Sequence, residues 1–204
     1  HGHAAMSLFR GLADDISLQP WLTDYIWPAE TRWVDEAFVY DGTVLAIAEQ
    51  LKGGITCYAD MYFYPEIASK VAEDCQVRAQ VCVPIPKKDP ASSGETQRQA
   101  AFAAVLERFE RFKNHPSIKI VFGPHAPYTV DDEDLVKVAD FSANAGIGIH
   151  MHVHETAFEI QQSLEHYGER PLRRLHRLGL LSNSFQAVHM TQLNDEDIRL
   201  LVET

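Results

Sequence analysis

Three histidines alternate with apolar residues in segment 146–155, which reads Gly-Ile-Gly-Ile-His-Met-His-Val-His-Glu. Successive side chains of a β-strand point to opposite faces, so His150, His152 and His154 would share one face for as long as the strand lasts. Imidazole is the commonest metal-binding side chain near neutral pH. Glu155 follows where the strand should end. The segment therefore predicts a metal site with a proton-carrying carboxylate beside it.

Composition limits the class of protein. The chain has 204 residues, of which 46% are hydrophobic, and this predicts a large core and one domain over residues 1–204. A net charge of -11 argues against a nucleic-acid polymer or an anionic membrane surface as partner. No apolar run approaches the roughly 18 residues of a membrane span. Three cysteines without a Cys-x-x-Cys pair indicate a reducing compartment, and we expect a cytoplasmic protein.

Strand and helix patterns alternate along most of the chain, after a segment (residues 12–37) that we expect to be a loop with short helices covering a site. Continuous apolar strands with helices between them predict a parallel sheet wrapped by helices. No glycine-rich phosphate loop follows any strand, so nucleotide phosphate binding is not indicated. A polar loop is predicted over 87–94. The predicted strands are 55–60, 78–85, 118–122, the histidine segment and 185–190. The predicted helices are 38–52, 65–75, 95–113, one starting near 130–133, 157–166, 171–178 and one capped by Asn194 or Asp195.

Polar residues fall at or near the C-terminal ends of the candidate strands. In a (β/α) barrel these ends form one rim, which is where active sites lie. Scattered core histidines would not be expected to converge in this way, so the convergence favours one metal site. The residues concerned are His1, His3, Asp60, His125, His152, Glu155 and His189.

Each candidate also has a plainer interpretation. His1-Gly2-His3 would let two imidazoles on one strand face reach one ion. The same pattern also fits the remnant of a purification tag, or a terminal histidine whose free amine helps to chelate copper. His125 and His189 follow apolar strands and are either structural histidines or groups that polarise water or substrate. Asp60 is interpreted as holding a loop through side-chain-to-backbone hydrogen bonds.

The remaining histidines are assigned by position. His150 lies a layer below His152 and is expected to be a hydrogen-bonded core residue. His154 is either a ligand or, as we prefer, a residue of the rim where the strand frays. Those on or beside helices are expected to be solvated: His115, His166 and His176.

The chemistry that these groups allow is hydrolysis by metal-activated water. Two or three histidines would hold a divalent ion with an open position, which lowers the pKa of water toward about 7. Glu155 would take that proton and pass it to the leaving group. A neighbouring imidazole would stabilise the charge of the tetrahedral centre.

Several motifs together resemble the amidohydrolase superfamily, and most closely its 5-methylthioadenosine/S-adenosylhomocysteine deaminases, in the branch that also holds triazine chlorohydrolases. The motifs are His1-x-His3, Gly-Pro-His-Ala-Pro-Tyr at 123–128, His152-x-x-Glu155-Thr156 and Ala-Val-His at 187–189. Leu-Phe-Arg-Gly-Leu-Ala-Asp-Asp at 8–15 and Gly-Gly-Ile-Thr at 53–56 resemble that branch in particular. The resemblance covers the whole chain.

The resemblance implies a role for each candidate. Zinc would be bound by His1, His3 and His152, although iron or manganese would also be accommodated. Glu155 would be the proton shuttle that also contacts the purine, and His189 would orient the water. The substrate would also be contacted by His125, by Trp21 near the 5′-thio group and by Glu30 at the ribose hydroxyls. For Trp21 and Glu30 the alternative interpretation is a loop anchor.

The resemblance also implies a (β/α)8 barrel of which about strands one to six are present. The family's metal-binding aspartate follows strand eight, and a flanking β-sandwich completes relatives; neither is found in these residues. Val-Cys-Val-Pro at 81–84 replaces an arginine that some relatives use to hold the nucleoside. The predicted activity is deamination of an adenosine thioether, a small-molecule substrate. Alternatives are guanine deamination, triazine hydrolysis or a catalytically silent barrel subunit, and a homo-oligomer is left open.

Overall fold

The computed structural model describes residues 1–85 and 94–204. The predicted polar loop therefore lies outside the described residues, except for Gly94.

The strands are β1 (Cys57–Met61), β2 (Arg78–Ile85), β3 (Ile118–Pro124), β4 (Ile149–Val153) and β5 (Phe185–His189). The α-helices are α1 (Leu18–Pro20), α2 (Trp27–Trp33), α3 (Glu36–Lys52), α4 (Pro65–Asp74), α5 (Gly94–Phe112), α6 (Asp132–Ala145), α7 (Ala157–Tyr167), α8 (Pro171–Arg177) and α9 (Asp195–Glu203); a 3₁₀ helix spans Ala4–Phe9 and a π-helix Trp21–Ile26.

The five strands form one sheet in chain order, β1-β2-β3-β4-β5. The β3–β4 and β4–β5 pairs are parallel, as strands joined by helical crossovers must be. The predicted strands are confirmed except at the opening of the chain, where only Gly2 pairs, in a single bridge to Asp60. Among the described residues, no helix is both long and apolar enough to cross a bilayer.

The described residues divide into two compact units, one of His1–Val81 and His115–Lys119, the other of Cys82–Asn114 and Ile120–Thr204. In the first unit, α3 is capped at its start by Asp35, whose side chain accepts the Phe38 N–H, and at its end by Gly53. Its inner face packs on the 3₁₀ helix, with Ala5, Val39 and Tyr62 at the centre of the cluster. Short helices occur in segment 12–37, as predicted, but the prediction that it is mainly loop is wrong, because α1, the π-helix and α2 follow one another without a break over residues 18–33.

Gly42 is the point of closest approach between α3 and the 3₁₀ helix. A Cβ atom at this position would lie 2.5 Å from the Ala5 carbonyl oxygen and 2.8 Å from its Cα. These are backbone atoms of the partner helix, so they cannot move aside as a flexible side chain would. Glycine is therefore what allows the segment that follows His3 to pack on α3.

In the second unit, β4 is buried along its whole length, as expected of a strand covered on both faces. Its approach is set by Gly146, which ends α6 in the left-handed conformation. Arg174 of α8 is fully buried. Its guanidinium donates to the Pro127 and Val130 carbonyls and lies 3.8 Å from the Tyr167 ring centroid.

Candidate active site

In the first unit, β1 acts as a template for the His1-x-His3 pair. The Gly2 N–H donates to the Ala59 carbonyl, and the Met61 N–H donates to the Gly2 carbonyl. His3 Nδ1 lies 2.5 Å from the Met61 carbonyl oxygen, which assigns the proton to Nδ1 and the lone pair to Nε2. The His1 and His3 rings are edge to face, with centroids 4.9 Å apart. The structure thus brings these two predicted ligands together.

Asp60 fixes the chain immediately after His3. Its Oδ1 accepts the Ala4 N–H at 2.6 Å, which confirms the predicted side-chain-to-backbone role. Burial raises the pKa of this carboxyl to about 6, although the hydrogen bond from the Ala4 N–H opposes the rise. The buried Asp60 carboxyl therefore fixes the backbone next to the histidine pair.

In the second unit, the ends of β3, β4 and β5 bring three predicted histidines together. The His152 N–H and Nδ1 both contact the His125 carbonyl oxygen, at 3.1 and 2.7 Å. His125 and His152 have ring centroids 4.7 Å apart, and His152 stacks on His189 at 5.3 Å. As at His3, a backbone carbonyl at Nδ1 assigns the lone pair of His152 to Nε2.

Glu155 reaches the same cluster from the loop after β4. Its Oε1 lies 3.3 Å from His189 Nε2, and its side chain is 22% exposed against 32% for His189. The pair is thus open to solvent yet held beside the stacked imidazoles. A carboxylate at hydrogen-bonding range of an imidazole is suited to moving a proton between water and a bound molecule.

Two groups that support this loop have no counterpart among the predicted residues. The Glu159 carboxylate accepts the N–H groups of His154 and Glu155, and the Thr191 hydroxyl contacts their carbonyls. The pattern Thr156-x-x-Glu159 is that of a helix capping box and could have indicated Glu159. Thr191 carries no comparable signal in the sequence.

For the other two histidines of the segment, the structure confirms the prediction at His150 and contradicts it at His154. His150 is buried and its Nδ1 lies 2.8 Å from Gln186 Oε1, as predicted for a core residue. His154 is fully buried, with Nε2 accepting the Leu172 N–H, so the predicted rim role is wrong. The chain turns inward there because its φ is +55°, which a continuing strand would not adopt.

The prediction that His115 is solvated is also wrong, because the residue is only partly exposed. Its Nδ1 accepts the Ser117 and Ile118 N–H groups and so caps the start of β3. His166 and His176 are exposed on α7 and α8, as predicted.

The two predicted nucleoside contacts lie on the helices of the first unit. Trp21 begins the π-helix and is partly exposed, with Nε1 3.4 Å from the Leu12 carbonyl oxygen. Glu30 lies on α2 at a pocket of about 450 Å³ lined also by Thr31, Val34, Phe63 and Tyr64. Burial raises the pKa of Glu30, and the Tyr62 hydroxyl opposes that rise. Their predicted contacts with substrate stay predictions.

Comparison with known proteins is consistent with this arrangement. The model of the amidohydrolase family matches residues 1–204. The chain belongs to the amidohydrolase family. It is 50% identical, over 98% of its length, to a 5-methylthioadenosine/S-adenosylhomocysteine deaminase of Saccharophagus degradans. It spans 45% of that relative, less than half of its length.

Solved structures share the fold of this chain. An adenosine deaminase from Xanthomonas campestris with bound zinc is 41% identical, and the superposition has a TM-score of 0.91 over 98% of this chain and 45% of that one. The zinc complex of an atrazine chlorohydrolase from Arthrobacter aurescens gives 0.88 at 18% identity, over 98% and 49% of the two chains. The predicted fold class, part of an amidohydrolase (β/α)8 barrel, is confirmed.

Proposed function

We propose that this chain belongs to a zinc-dependent deaminase that hydrolyses the amino group from the adenine ring of 5′-methylthioadenosine or S-adenosylhomocysteine, releasing ammonia and the inosine analogue. The observation that carries the proposal is the 3.3 Å approach of Glu155 to His189, beside the stacked His152 ring. The name of the 50% identical relative supports the substrate class. Residues 1–204 would form part of one barrel domain.

The proposed zinc ligands are His1, His3 and His152. The arrangement at His3 and His152, each with Nδ1 toward a backbone carbonyl, is the usual outer shell of metal-binding histidines and presents Nε2 as the ligand atom. Neutral imidazoles suit zinc, and iron or manganese accept the same donors. The bound zinc of the Xanthomonas relative supports this choice. When bound, the ion supplies Lewis acidity to a water nucleophile.

The chain's own groups would perform the proton transfers. Glu155 would accept the proton of the attacking water and deliver it to the departing amine. His189, in contact with Glu155, would orient the water and the tetrahedral centre that develops at C6. His125 would contact the purine, Trp21 the 5′-thio group and Glu30 the ribose hydroxyls.

Replacement of Glu155 tests the proposal. In the full-length protein, Glu155→Gln should lower kcat for 5′-methylthioadenosine by about 10²–10⁴-fold, because an amide cannot carry the proton, while zinc content stays unchanged. Glu165→Gln on the exposed face of α7 is the matched control and should leave both unchanged. A silent barrel subunit would bind no zinc and show no effect of Glu155→Gln, and that result would refute the proposal.

A substrate panel separates the alternatives within the family. We expect turnover of 5′-methylthioadenosine and S-adenosylhomocysteine rather than of guanine or a chlorotriazine. The name of the 50% identical relative favours the adenosine thioethers, and the adenosine deaminase at 41% identity favours an adenosine-type substrate. The chlorohydrolase is only 18% identical. Turnover of guanine or the chlorotriazine alone would overturn the proposed substrate. A cytoplasmic location is part of the proposal and is supported by the odd number of cysteines, three.

A further inference from the structure

The loop that carries Glu155 is held from both sides by two side chains from other elements. Glu159, on the first turn of α7, has its carboxylate facing the N–H side of the loop: Oε1 accepts from His154 at 2.9 Å and Oε2 from Glu155 at 2.8 Å. Thr191, after β5, faces the carbonyl side, with its hydroxyl oxygen 3.1 Å from the His154 oxygen and 2.7 Å from the Glu155 oxygen. The peptide unit between His154 and Glu155 is thereby held at both its carbonyl and its N–H, and the units on either side of it are each held at one polar group.

Both holding groups are themselves fixed. The Glu159 side chain is 3% exposed, and its N–H donates to the Thr156 hydroxyl that caps α7. The Thr191 N–H donates to the His154 carbonyl at 3.0 Å, which keeps the hydroxyl over the loop. Charge-assisted bonds from a carboxylate to backbone N–H groups are about twice as strong as neutral ones. The N–H side of the loop is therefore held by a carboxylate, and the carbonyl side by the Thr191 N–H together with a hydroxyl whose one hydrogen is shared between two acceptors.

The backbone at this point needs such support. His154 has a φ of +55°, and His189 and Met190, at the end of β5, have +76° and +53°. Left-handed conformations are unfavourable in residues other than glycine and persist where surrounding contacts impose them. Here they direct Glu155 and His189 toward each other.

We infer that Glu159 and Thr191 are positioning residues that fix the Glu155 carboxylate against His189 by holding the 154–155 peptides. Neither side chain needs to contact the substrate. The inference rests on the proposed proton-carrying role of Glu155. Whether the two side chains hold the backbone of residues 154 and 155 can be measured without reference to activity.

Thr191→Val removes the hydroxyl at nearly constant volume, and Thr191→Ser retains it. In the full-length protein, Thr191→Val should lower kcat for 5′-methylthioadenosine by about 10- to 100-fold, since displacement by about 1 Å has effects of this size. KM and zinc content should change less than about twofold, and Thr191→Ser should retain most of the wild-type kcat. Glu159→Gln, which replaces one acceptor oxygen by a donor, should act in the same direction as Thr191→Val.

A double-mutant cycle distinguishes positioning from a general structural role. If Thr191 acts through Glu155, Thr191→Val should have almost no further effect on the residual activity of Glu155→Gln. An equal loss in both backgrounds would overturn the inference. If Glu155→Gln itself retained full activity, the proposed function would fail instead.

Hydrogen exchange gives a readout without activity or zinc. In metal-free protein, Glu159→Gln should accelerate exchange of the His154 and Glu155 amides at least about tenfold, while Glu165→Gln should leave them unchanged. Unchanged exchange at both amides would overturn the inference, whatever the kinetics.

Discussion

His152 and His189 stack with ring centroids 5.3 Å apart and ring planes inclined by 20°. In the parallel register, His189 pairs with Val153 and not with His152. Neighbouring residues of a strand point to opposite faces, so a regular β5 would direct His189 away from the His152 ring. The left-handed φ of +76° at His189 breaks that alternation where the two imidazoles meet.

Zinc binding should depend on His152 but not on His150 two residues earlier. His152→Gln should lower the zinc content of the purified full-length protein well below one per chain, because a ligand is lost. His150→Gln should leave the content near that of the wild type, since His150 is bonded to Gln186 in the core. Metal analysis after dialysis checks this. Equal zinc content in the wild type and the His152 variant would contradict the ligand assignment.

Gly42→Ala should destabilise the protein by about 1–3 kcal/mol, because the added methyl group overpacks against the Ala5 backbone. Gly53→Ala is the control: its Cβ would meet the nearest atom at 3.4 Å, an ordinary contact, and should change stability by less than about 1 kcal/mol. Urea unfolding of both variants measures the difference. Equal stabilities would show that the 3₁₀ helix can shift away from α3 at little cost.

Asp60 should make the metal-free protein less stable as pH rises. Burial raises its pKa in the folded state to about 6, from an ordinary value near 3.8, so the folded state binds this proton more tightly than the unfolded chain does. The stabilisation from protonated Asp60 is full below about pH 4 and is lost as pH rises through 6. Asp60→Asn should therefore gain stability relative to the wild type between pH 4 and pH 7, by up to about 3 kcal/mol.

Urea midpoints at pH 4, 5, 6 and 7 measure this trend. Asparagine can still accept the Ala4 N–H, so the variant removes the ionisation and keeps the hydrogen bond. Asp41→Asn, exposed on α3, is the control and should follow the wild type at each pH. A constant difference between Asp60→Asn and the wild type across this range would refute the assignment.

Arg174→Lys should cost about 3–5 kcal/mol although the charge is kept. The buried guanidinium donates from three nitrogens, to Asp132 and to the Pro127 and Val130 carbonyls, and a lysine cannot reproduce that fork. Arg173→Lys, exposed on the same helix, should change stability by less than about 0.5 kcal/mol. Thermal and urea unfolding of the Arg174→Lys and Arg173→Lys variants test whether stability depends on the three hydrogen bonds of the guanidinium or only on its charge.

Glu30 should discriminate nucleosides by their ribose hydroxyls if it binds them as proposed. Removal of the 2′ and 3′ hydroxyls from 5′-methylthioadenosine should raise KM strongly for the wild type and little for Glu30→Ala, because the acceptor is already absent. Glu36→Ala, exposed at the start of α3, should behave as the wild type. Equal discrimination by Glu30→Ala and the wild type would place the ribose elsewhere.

The fold could be predicted because its signals are local. Uninterrupted apolar strands and polar helix starts set the bounds of β2, β3 and α4 to within two residues. The position of His154 could not be predicted, because alternation ends when φ becomes positive and only the packing of α8 shows which way the residue turns. Thr191 was missed for a related reason, since its partners lie about 36 residues away along the chain.

Asp197 links the last helix to the interior. It completes the capping box of α9 with Asn194, accepts from Arg170, and lies 3.6 Å from Nδ1 of the buried His154. A cap normally governs only the fraying of its own helix. Here, unwinding of the first turn of α9 would also withdraw the counter-charge from Arg170 and a neighbour from His154. The first turn of α9 should therefore open about as rarely as the buried backbone around His154.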